Sequence, residues 1–118
     1  MTQEEKDLLL KDLCARLPYG VKIQVPYEDG SGYFDETVWE VNNEGPFHVN
    51  GWGIEYEYVK PYLFPLSSIT KKTLEELSAY IDIKNAYVAV EFFNSHHIDY
   101  RGLIEKGLAV DATGLNIY

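Results

Sequence analysis

Several features that usually reveal a protein's chemistry are missing from this sequence of 118 residues. Its single cysteine, Cys14, excludes an intramolecular disulfide, and its place in the apolar pattern of a predicted helix indicates a buried thiol. No run approaches the ~20 apolar residues that a membrane span needs, and the acidic N-terminus does not resemble a signal peptide. We therefore expect a protein of the reducing cytoplasm that enters no membrane.

The short motifs that usually mark a cofactor or a metal ion are missing too. The chain has no Gly-rich phosphate loop, no nucleophile elbow and no spacing of Cys and His that suits zinc. Residues 29–32 resemble a fragment of a calcium loop, but the spaced downstream ligands are lacking. We expect no cofactor and no metal ion, and no catalytic residue is predicted from motifs.

Basic residues are absent from one long interval. Between Lys22 and Lys60 there is no Lys or Arg, whereas this acidic interval (residues 23–59) holds 8 of the 19 acids. The other 11 acids face all 10 bases, so nearly all of the net charge of −9 belongs to the interval. Because phosphate contacts supply most of the affinity for nucleic acids, we expect no direct binding to DNA or RNA.

Length and composition indicate one globular domain spanning residues 1–118. A hydrophobic fraction of 46% and a charged fraction of 25% are ordinary for such a domain, and there are no repeats or linkers. The chain is rich in tyrosine, with ten residues. Tyrosine has a large apolar body and a polar tip, so it suits shallow cores and interfaces alike.

The first half of the chain predicts a helix followed by an antiparallel meander. Thr2 and Glu5 have the spacing of a capping box, and apolar residues then repeat at helical spacing to about Leu17, where Pro18 and Gly20 end the helix. The other side of this helix carries polar residues, namely Lys6, Asp7, Lys11, Asp12 and Arg16. From Val21 the period changes to two, and turns separate strands at about 21–25, 33–41, 47–50 and 54–59, with a bend or bulge at 51–53.

The second half predicts mostly helix. Two prolines within residues 60–66 favour an irregular, extended path across the sheet edge, or else a ligand for a proline-binding domain. Capping residues then precede a helix at about 70–80. Residues 83–95 suit a helix or a buried strand, and we predict a helix because the segment is long and has no internal Gly or Pro. A short helix at 100–106 follows, and the apolar tail to Tyr118 is expected to dock.

These elements give the fold class α+β. The prediction is an N-terminal helix, an antiparallel meander of three or four strands, and two or three C-terminal helices with a docked tail.

The predicted register gives the meander an acidic outer face. If Thr37, Trp39 and Val41 point towards the core, Glu40 points outwards, and the same alternation turns Glu55 and Glu57 outwards. Unpaired like charges on neighbouring strands cost stability, so the face suggests a basic partner, although a solvated face that keeps the protein soluble is the alternative. The candidate partner-binding residues are Asp35, Glu36, Glu40, Glu55, Tyr56 and Glu57.

A second candidate site is the polar cluster of His96, His97, Asp99, Tyr100 and Arg101. These residue types could build a hydrolytic or metal site. Adjacent histidines on a helix point about 100° apart, however, so they cannot ligate one metal as an i, i+4 pair would. We favour a structural interpretation in which Asp99 caps the last helix and Arg101 pairs with an acid.

Two stretches of the chain carry a resemblance. Residues 58–68 (YVKPYLFPLSS) and 96–109 (HHIDYRGLIEKGLA), together with the opening helix, resemble small uncharacterised proteins encoded by gut Bacteroidetes and their phages or integrated elements. The resemblance covers less of the acidic sheet. It implies a bacterial or phage cytoplasm, where accessory and anti-defence proteins are common. The group has no assigned activity, so the resemblance implies no residue roles.

The sequence thus ranks three functional hypotheses. The first is a non-catalytic interaction or accessory module that presents an acidic, tyrosine-rich sheet face to a protein partner, with mimicry of nucleic-acid charge as one version. The second is a small hydrolase or metal-dependent enzyme that uses His96, His97, Asp99 and Arg101. The third is a small-ligand binder that uses Trp39, Trp52 and tyrosines.

Overall fold

The N-terminal helix begins as its capping box predicts. A computed structural model describes residues 2–42, 48–53, 58–69, 75 and 86–118 of the chain. In it, α1 spans Gln3–Arg16. The Glu5 amide donates to Thr2 Oγ1 over 3.1 Å, and the Thr2 amide donates back to the Glu5 carboxylate over 2.9 Å. These bonds lower the pKa of Glu5. A 3₁₀ turn at Leu17–Tyr19 and left-handed Gly20 end the helix.

The strands are short, and the described residues contain one further α-helix, which lies between the sixth and seventh strands. Helix α2 spans Ala86–Ser95, which confirms the helix predicted over 83–95 where the structure describes it. The predicted helix at 70–80 lies outside the described residues, apart from Glu75. The strands are β1 (Lys22–Pro26), β2 (Tyr33–Thr37), β3 (Val41–Asn42), β4 (His48–Val49), β5 (Trp52–Gly53), β6 (Lys60–Pro65), β7 (Ile98–Asp99) and β8 (Val110–Asp111).

The described strands form two sheets rather than one meander. In the five-stranded sheet, β1 pairs antiparallel with β2 and β6, and β6 pairs in parallel with β7 and β8. Strands β3, β4 and β5 form a separate antiparallel sheet. The α+β class and the N-terminal helix are therefore confirmed, whereas a purely antiparallel meander is wrong. The prediction had two or three C-terminal helices. The described part of the chain has two α-helices, and only α2 is C-terminal.

Strand β6 corrects the prediction of an irregular path through residues 60–66. Its prolines, Pro61 and Pro65, stand near the two ends of the strand, where a missing amide donor costs little. The interior supplies the hydrogen bonds instead: the Phe64 amide donates to the His97 carbonyl and the Leu63 carbonyl accepts from the Ala112 amide, both over 2.8 Å. The segment is thus a central strand that joins the two halves of the chain.

The predicted helix at 100–106 is also wrong. Residues 100–107 form a series of turns, with Gly102 and Gly107 at φ of 75° and 74°. Left-handed residues at both places interrupt helical geometry. The tail that follows does pack on the sheet: the Tyr118 hydroxyl donates to the Tyr62 carbonyl over 2.7 Å, and Lys22 Nζ donates to the Ile117 carbonyl over 2.6 Å.

The core lies between α1 and the sheet. Leu9 and Leu13 of α1 pack with Ile23 and Val25 of β1, together with Val38, Val49 and Val59. Because Leu9, Asp12, Leu13 and Arg16 are all buried, the inward side of α1 includes two charged residues that were predicted to face solvent. Cys14, predicted to be buried, is exposed, although partial desolvation raises the pKa of its thiol.

Residues 33–40 alternate with the parity opposite to the predicted one. The residues that turn inwards are Phe34, Glu36 and Val38, whereas Thr37 is exposed and Trp39 is 66% exposed instead of buried. Bonding to β1 continues to Val38, whose amide donates to the Val21 carbonyl. The Asn50 side-chain oxygen then accepts from the amides of Trp39 and Glu40, and its side-chain amide donates to the Thr37 carbonyl.

Candidate functional site

The polar cluster of the C-terminal half is built around a buried ion triad. The carboxylate of Asp12 accepts from Arg16 Nε over 2.9 Å and from an Arg101 guanidinium nitrogen over 2.8 Å. The side chains of Asp12 and Arg16 have no solvent exposure, and that of Arg101 is 13% exposed. Asp12 and Arg16 are four residues apart on α1, so the helix itself brings them together.

Arg16 also ties α1 to the rest of the fold. Its terminal nitrogens donate to the Phe93 carbonyl over 3.2 Å and to the Ile98 carbonyl over 2.6 Å. Phe93 lies in the last turn of α2, where helix carbonyls lack intrahelical donors and attract a cation. Arg101 lies over the Tyr100 ring at 4.5 Å, and the Tyr100 hydroxyl donates to Asn94 Oδ1. The predicted pairing of Arg101 with an acid is confirmed, and the acid is Asp12.

Asp99 acts as a cap, although the element that it caps is a turn and not a helix. Its two carboxylate oxygens accept from the amides of Leu103 and Ile104, each over 2.9 Å. The side chain is buried, so these two bonds satisfy it where water does not reach. Both oxygens of this carboxylate are therefore engaged by backbone amides of the chain itself.

The two histidines lie in different environments. His97 is 7% exposed, has a left-handed backbone with φ of 56°, and stacks on Tyr118 with the ring centroids 3.9 Å apart. Burial, with the nearby charges of Arg16 and His96, lowers the pKa of His97 to about 4. Its Nδ1 is buried and has no hydrogen-bond partner among the residues that the structure describes. His96 is exposed and stacks on Phe92 at 4.2 Å.

These contacts give the cluster a structural role. Asp99 and Arg101 are engaged by groups of the chain itself, and His97 is buried against the tail. Across the described ranges, no three His, Cys, Asp or Glu side chains come close enough to hold a metal ion. In the same residues, no helix is long and apolar enough to cross a membrane.

The residues predicted for an acidic face do not share one face. Asp35 and Glu36 are neighbours in β2, so their side chains point to opposite faces of the sheet. Glu40 follows the strand and is half-buried. Glu55, Tyr56 and Glu57 lie outside the described residues. Asp35 and Glu36 therefore lie on opposite faces, and the outward orientation of Glu55 and Glu57 stays a prediction.

What the structure brings together instead is an aromatic groove, formed by Tyr27, Phe34, Trp52 and Tyr58. The ring centroids of Tyr27 and Phe34 are 5.3 Å apart, and those of Phe34 and Trp52 are 5.8 Å apart. About half of the surface of Tyr27, Trp52 and Tyr58 is exposed. Exposed aromatics that touch one another are typical of binding surfaces.

Acids surround this groove. Glu28, Asp29 and Glu36 line it, and Lys60 is the one base among the lining residues that the structure describes. Both ion pairs in the described part of the chain involve Asp12, so none of the described acids of the acidic interval is paired with a base. The groove therefore combines exposed aromatic rings with uncompensated negative charge.

Two features, the ion triad and the hairpin that carries Trp52, were not predicted from the sequence. The ion triad was missed because Asp12 and Arg16 were placed on the polar side of α1, although their i, i+4 spacing indicates a pair. The β4–β5 hairpin was missed because residues 51–53 were interpreted as a bend. Its loop is Asn50-Gly51 with φ of 54° and 79°, and this dipeptide is a strong hairpin signal.

Comparison with known proteins adds nothing to this geometry. No protein-family model, no curated protein and no solved structure matches the chain.

Proposed function

We propose that the chain is a non-catalytic protein-interaction module that binds a basic partner through the aromatic groove and the acids around it. The observation that carries the proposal is the coincidence of three exposed aromatic residues, Tyr27, Trp52 and Tyr58, with acids that have no basic partner in the described chain. Such a surface costs stability unless something outside the chain compensates it.

The chemistry of the groove favours lysine or arginine as the groups it binds. Aromatic faces attract cations, and a carboxylate beside them adds a charge-assisted hydrogen bond. Glu28 and Glu36 both line the groove that contains the rings of Tyr27 and Trp52, so one basic side chain could meet both kinds of group. A basic protein segment satisfies this arrangement better than a nucleic acid, whose phosphates the acids would repel.

From the resemblance of residues 58–68 and 96–109 we further propose that this module is an accessory protein of a bacterial cytoplasm, encoded by the bacterium or by a phage or mobile element. This setting is part of the proposal. An enzyme based on the polar cluster is less well supported, because Asp99 and Arg101 already bind groups of the chain itself.

Binding of short peptides to the full chain, followed by titration calorimetry, tests the proposal. A lysine- and arginine-rich peptide should bind, and its affinity should fall as salt is added. An acidic peptide of the same length, duplex DNA and a neutral oligosaccharide should bind much more weakly. Preference for the oligosaccharide would identify a small-ligand site instead, and equal binding of all four probes would contradict the proposal.

Two tryptophans provide a matched pair of variants. Trp52→Ala removes a ring of the aromatic groove, whereas Trp39→Ala removes a ring that is similarly exposed but does not line the groove. Trp52→Ala should weaken binding of the basic peptide about tenfold or more, as expected for an aromatic residue central to an interface. Trp39→Ala should change the affinity less than threefold or so, within the range of near-neutral contacts. The opposite order would place the binding surface elsewhere.

A further inference from the structure

Strand β2 is a short edge strand. Within the described ranges it pairs with β1 alone. Its five residues, Tyr33–Thr37, contain no proline and pair with β1 without interruption, so neither a proline nor a bulge blocks the outer backbone groups. Its charged residues are two neighbouring acids, Asp35 and Glu36, and charges of one sign at an edge select which strands can pair with it.

The hydrogen-bonding pattern shows which backbone groups face the free edge. Bonds between the strands run from the Val38 amide to the Val21 carbonyl and from the Tyr27 amide to the Gly32 carbonyl, each over 2.9 Å. Alternate residues of an antiparallel pair exchange hydrogen bonds, so Phe34 and Glu36 direct their backbone groups to β1. Tyr33, Asp35 and Thr37 therefore direct theirs outwards.

One of these outward groups is already bound, and it marks the end of the free edge. The Thr37 carbonyl accepts from the Asn50 side-chain amide over 2.8 Å. No hydrogen bond within the described chain reaches the outward amides and carbonyls of Tyr33 and Asp35. These groups form a short template that could pair with an added strand.

We propose that β2 binds its basic partner by strand addition, with the backbone of the partner pairing with Tyr33 and Asp35. The inference rests on the proposed function and specifies how the partner binds. Asp35 and Glu36 lie on opposite faces of the sheet, so an added strand with two consecutive basic residues would place one beside each acid. The residue beside Glu36 would also lie at the aromatic groove.

Charge decides against a second copy of this chain as the added strand. Two antiparallel β2 strands would bring Asp35 and Glu36 of one copy close to the same acids of the other, with no lysine between them. Like charges in neighbouring strands are destabilising, which makes the acids a barrier to self-association and a complement to a basic strand.

Backbone methylation of a peptide probe tests strand addition separately from charge. The probe is a short strand-forming peptide of valine and threonine with a central Lys-Arg, and calorimetry measures its affinity for the full chain. Methylating alternate amides along one edge should leave binding within a few-fold, because the other edge can still pair. Methylating both edges should weaken binding about tenfold or more, since each lost hydrogen bond weakens binding roughly two- to tenfold.

The outcomes separate the two proposals. If the peptide methylated on both edges binds as well as the unmethylated peptide, strand addition is wrong and the proposed function stands as a contact of charge and rings. If the unmethylated peptide binds no better than its acidic counterpart, both are wrong. Amide NMR shifts should change first at Tyr33 and Asp35, and shifts confined to other elements would also overturn strand addition.

A pair of variants at one position gives the same test from the protein side. Tyr33→Pro and Tyr33→Val both remove the phenol, but only proline removes the outward amide. Proline is tolerated at the first residue of an edge strand, and the lost donor makes no bond to β1. Tyr33→Pro should bind the peptide roughly two- to tenfold more weakly than Tyr33→Val. Equal affinities for two variants with matching melting curves would contradict strand addition.

Discussion

Two regions of this molecule hold charged residues in opposite ways. Around Asp12, two charged side chains are buried and a third, Arg101, is 13% exposed, and their hydrogen bonds are made within the chain. Around the aromatic groove, the acids are exposed or half-buried and have no basic partner in the described part of the chain. The first region joins α1 to the C-terminal half, whereas the second leaves its charge available to another molecule.

The difference shows that residue type alone does not identify a functional site. His97, Asp99 and Arg101 include the side chains most often used in catalysis, yet the chain uses Asp99 and Arg101 to hold itself together. The acidic interval has no catalytic motif, yet its surface is the one that the fold leaves uncompensated. Substitutions in the two regions should therefore have opposite consequences, large for stability in the first and small in the second.

The largest effect is expected at the ion triad. Asp12→Asn removes the only carboxylate between two guanidinium groups and leaves Arg16 buried without its counter-charge. Breaking a buried pair in this way should lower the free energy of unfolding by about 3–5 kcal/mol. Denaturation with urea measures the change.

Asp7→Asn is the matched control, because Asp7 lies on the exposed side of the same helix and accepts a bond from the exposed side chain of Gln3. Its effect should stay within about 0.5 kcal/mol. Similar losses for the two variants would mean that the triad contributes no more than a surface residue.

A pH titration probes the same buried region through His97. Its pKa is about 4 in the fold against an ordinary value of 6.5, so the unfolded chain binds more protons between these two values. The stability linked to His97 is therefore fully present above pH 6.5 and falls as the pH drops towards 4, by up to roughly 3 kcal/mol.

His97→Phe keeps a ring for stacking on Tyr118 and removes the titrating group. Urea denaturation of this variant at a series of pH values should show a shallower loss of stability between pH 6.5 and 4 than the parent chain shows. An unchanged slope would mean that other groups control the acid sensitivity, and that His97 is not held neutral by its burial.

A smaller loss is expected at Asp99. Asp99→Ala leaves the buried Leu103 amide and the Ile104 amide without their acceptor, which should cost roughly 2 kcal/mol. Asp111→Ala is a matched control, since Asp111 is exposed and its carboxylate accepts from the amide and the side chain of a single residue, Thr113. Thermal unfolding should show the smaller shift for Asp111→Ala. A larger shift for the control would argue against Asp99 as the residue that holds the 100–107 turns.

An element of this fold can be predicted from the sequence when residues close to it in the chain determine it. The capping box of α1 and the helix at 86–95 follow from neighbouring residues, and both are present. Strand β6 was not predicted, because its prolines argue locally against a strand while its pairing with β7 and β8 depends on residues about 35 to 50 positions away. Parallel pairing of this kind leaves no turn signal in the sequence.

The candidate site was predictable to a similar extent. Charge counting along the chain located the acidic interval without any structure. The side on which each residue lies was not predicted, because an alternating pattern gives the period but not the set of residues that faces the core, and here Glu36 and Val38 turn inwards while Thr37 and Trp39 are exposed. The proximity of Tyr27, Phe34 and Trp52 depends on contacts between separate hairpins, which the period of a single strand does not encode.

The smallest effect is expected where the acids surround the aromatic groove. Glu28 and Glu36 have no basic partner in the described residues, and neither belongs to the buried core. Replacing both with Gln removes repulsion and no ion pair, so the free energy of unfolding should be unchanged or higher by a few tenths of a kcal/mol at low salt. The gain should shrink as salt rises, because exposed charges are screened within ~10 Å at 0.1 M. Urea denaturation at two salt concentrations measures both changes.

The same double variant should associate more slowly with a basic peptide and with less dependence on salt. A clear loss of stability would show that these glutamates hold the fold together, as Asp12 does, and the contrast between the two regions would then fail.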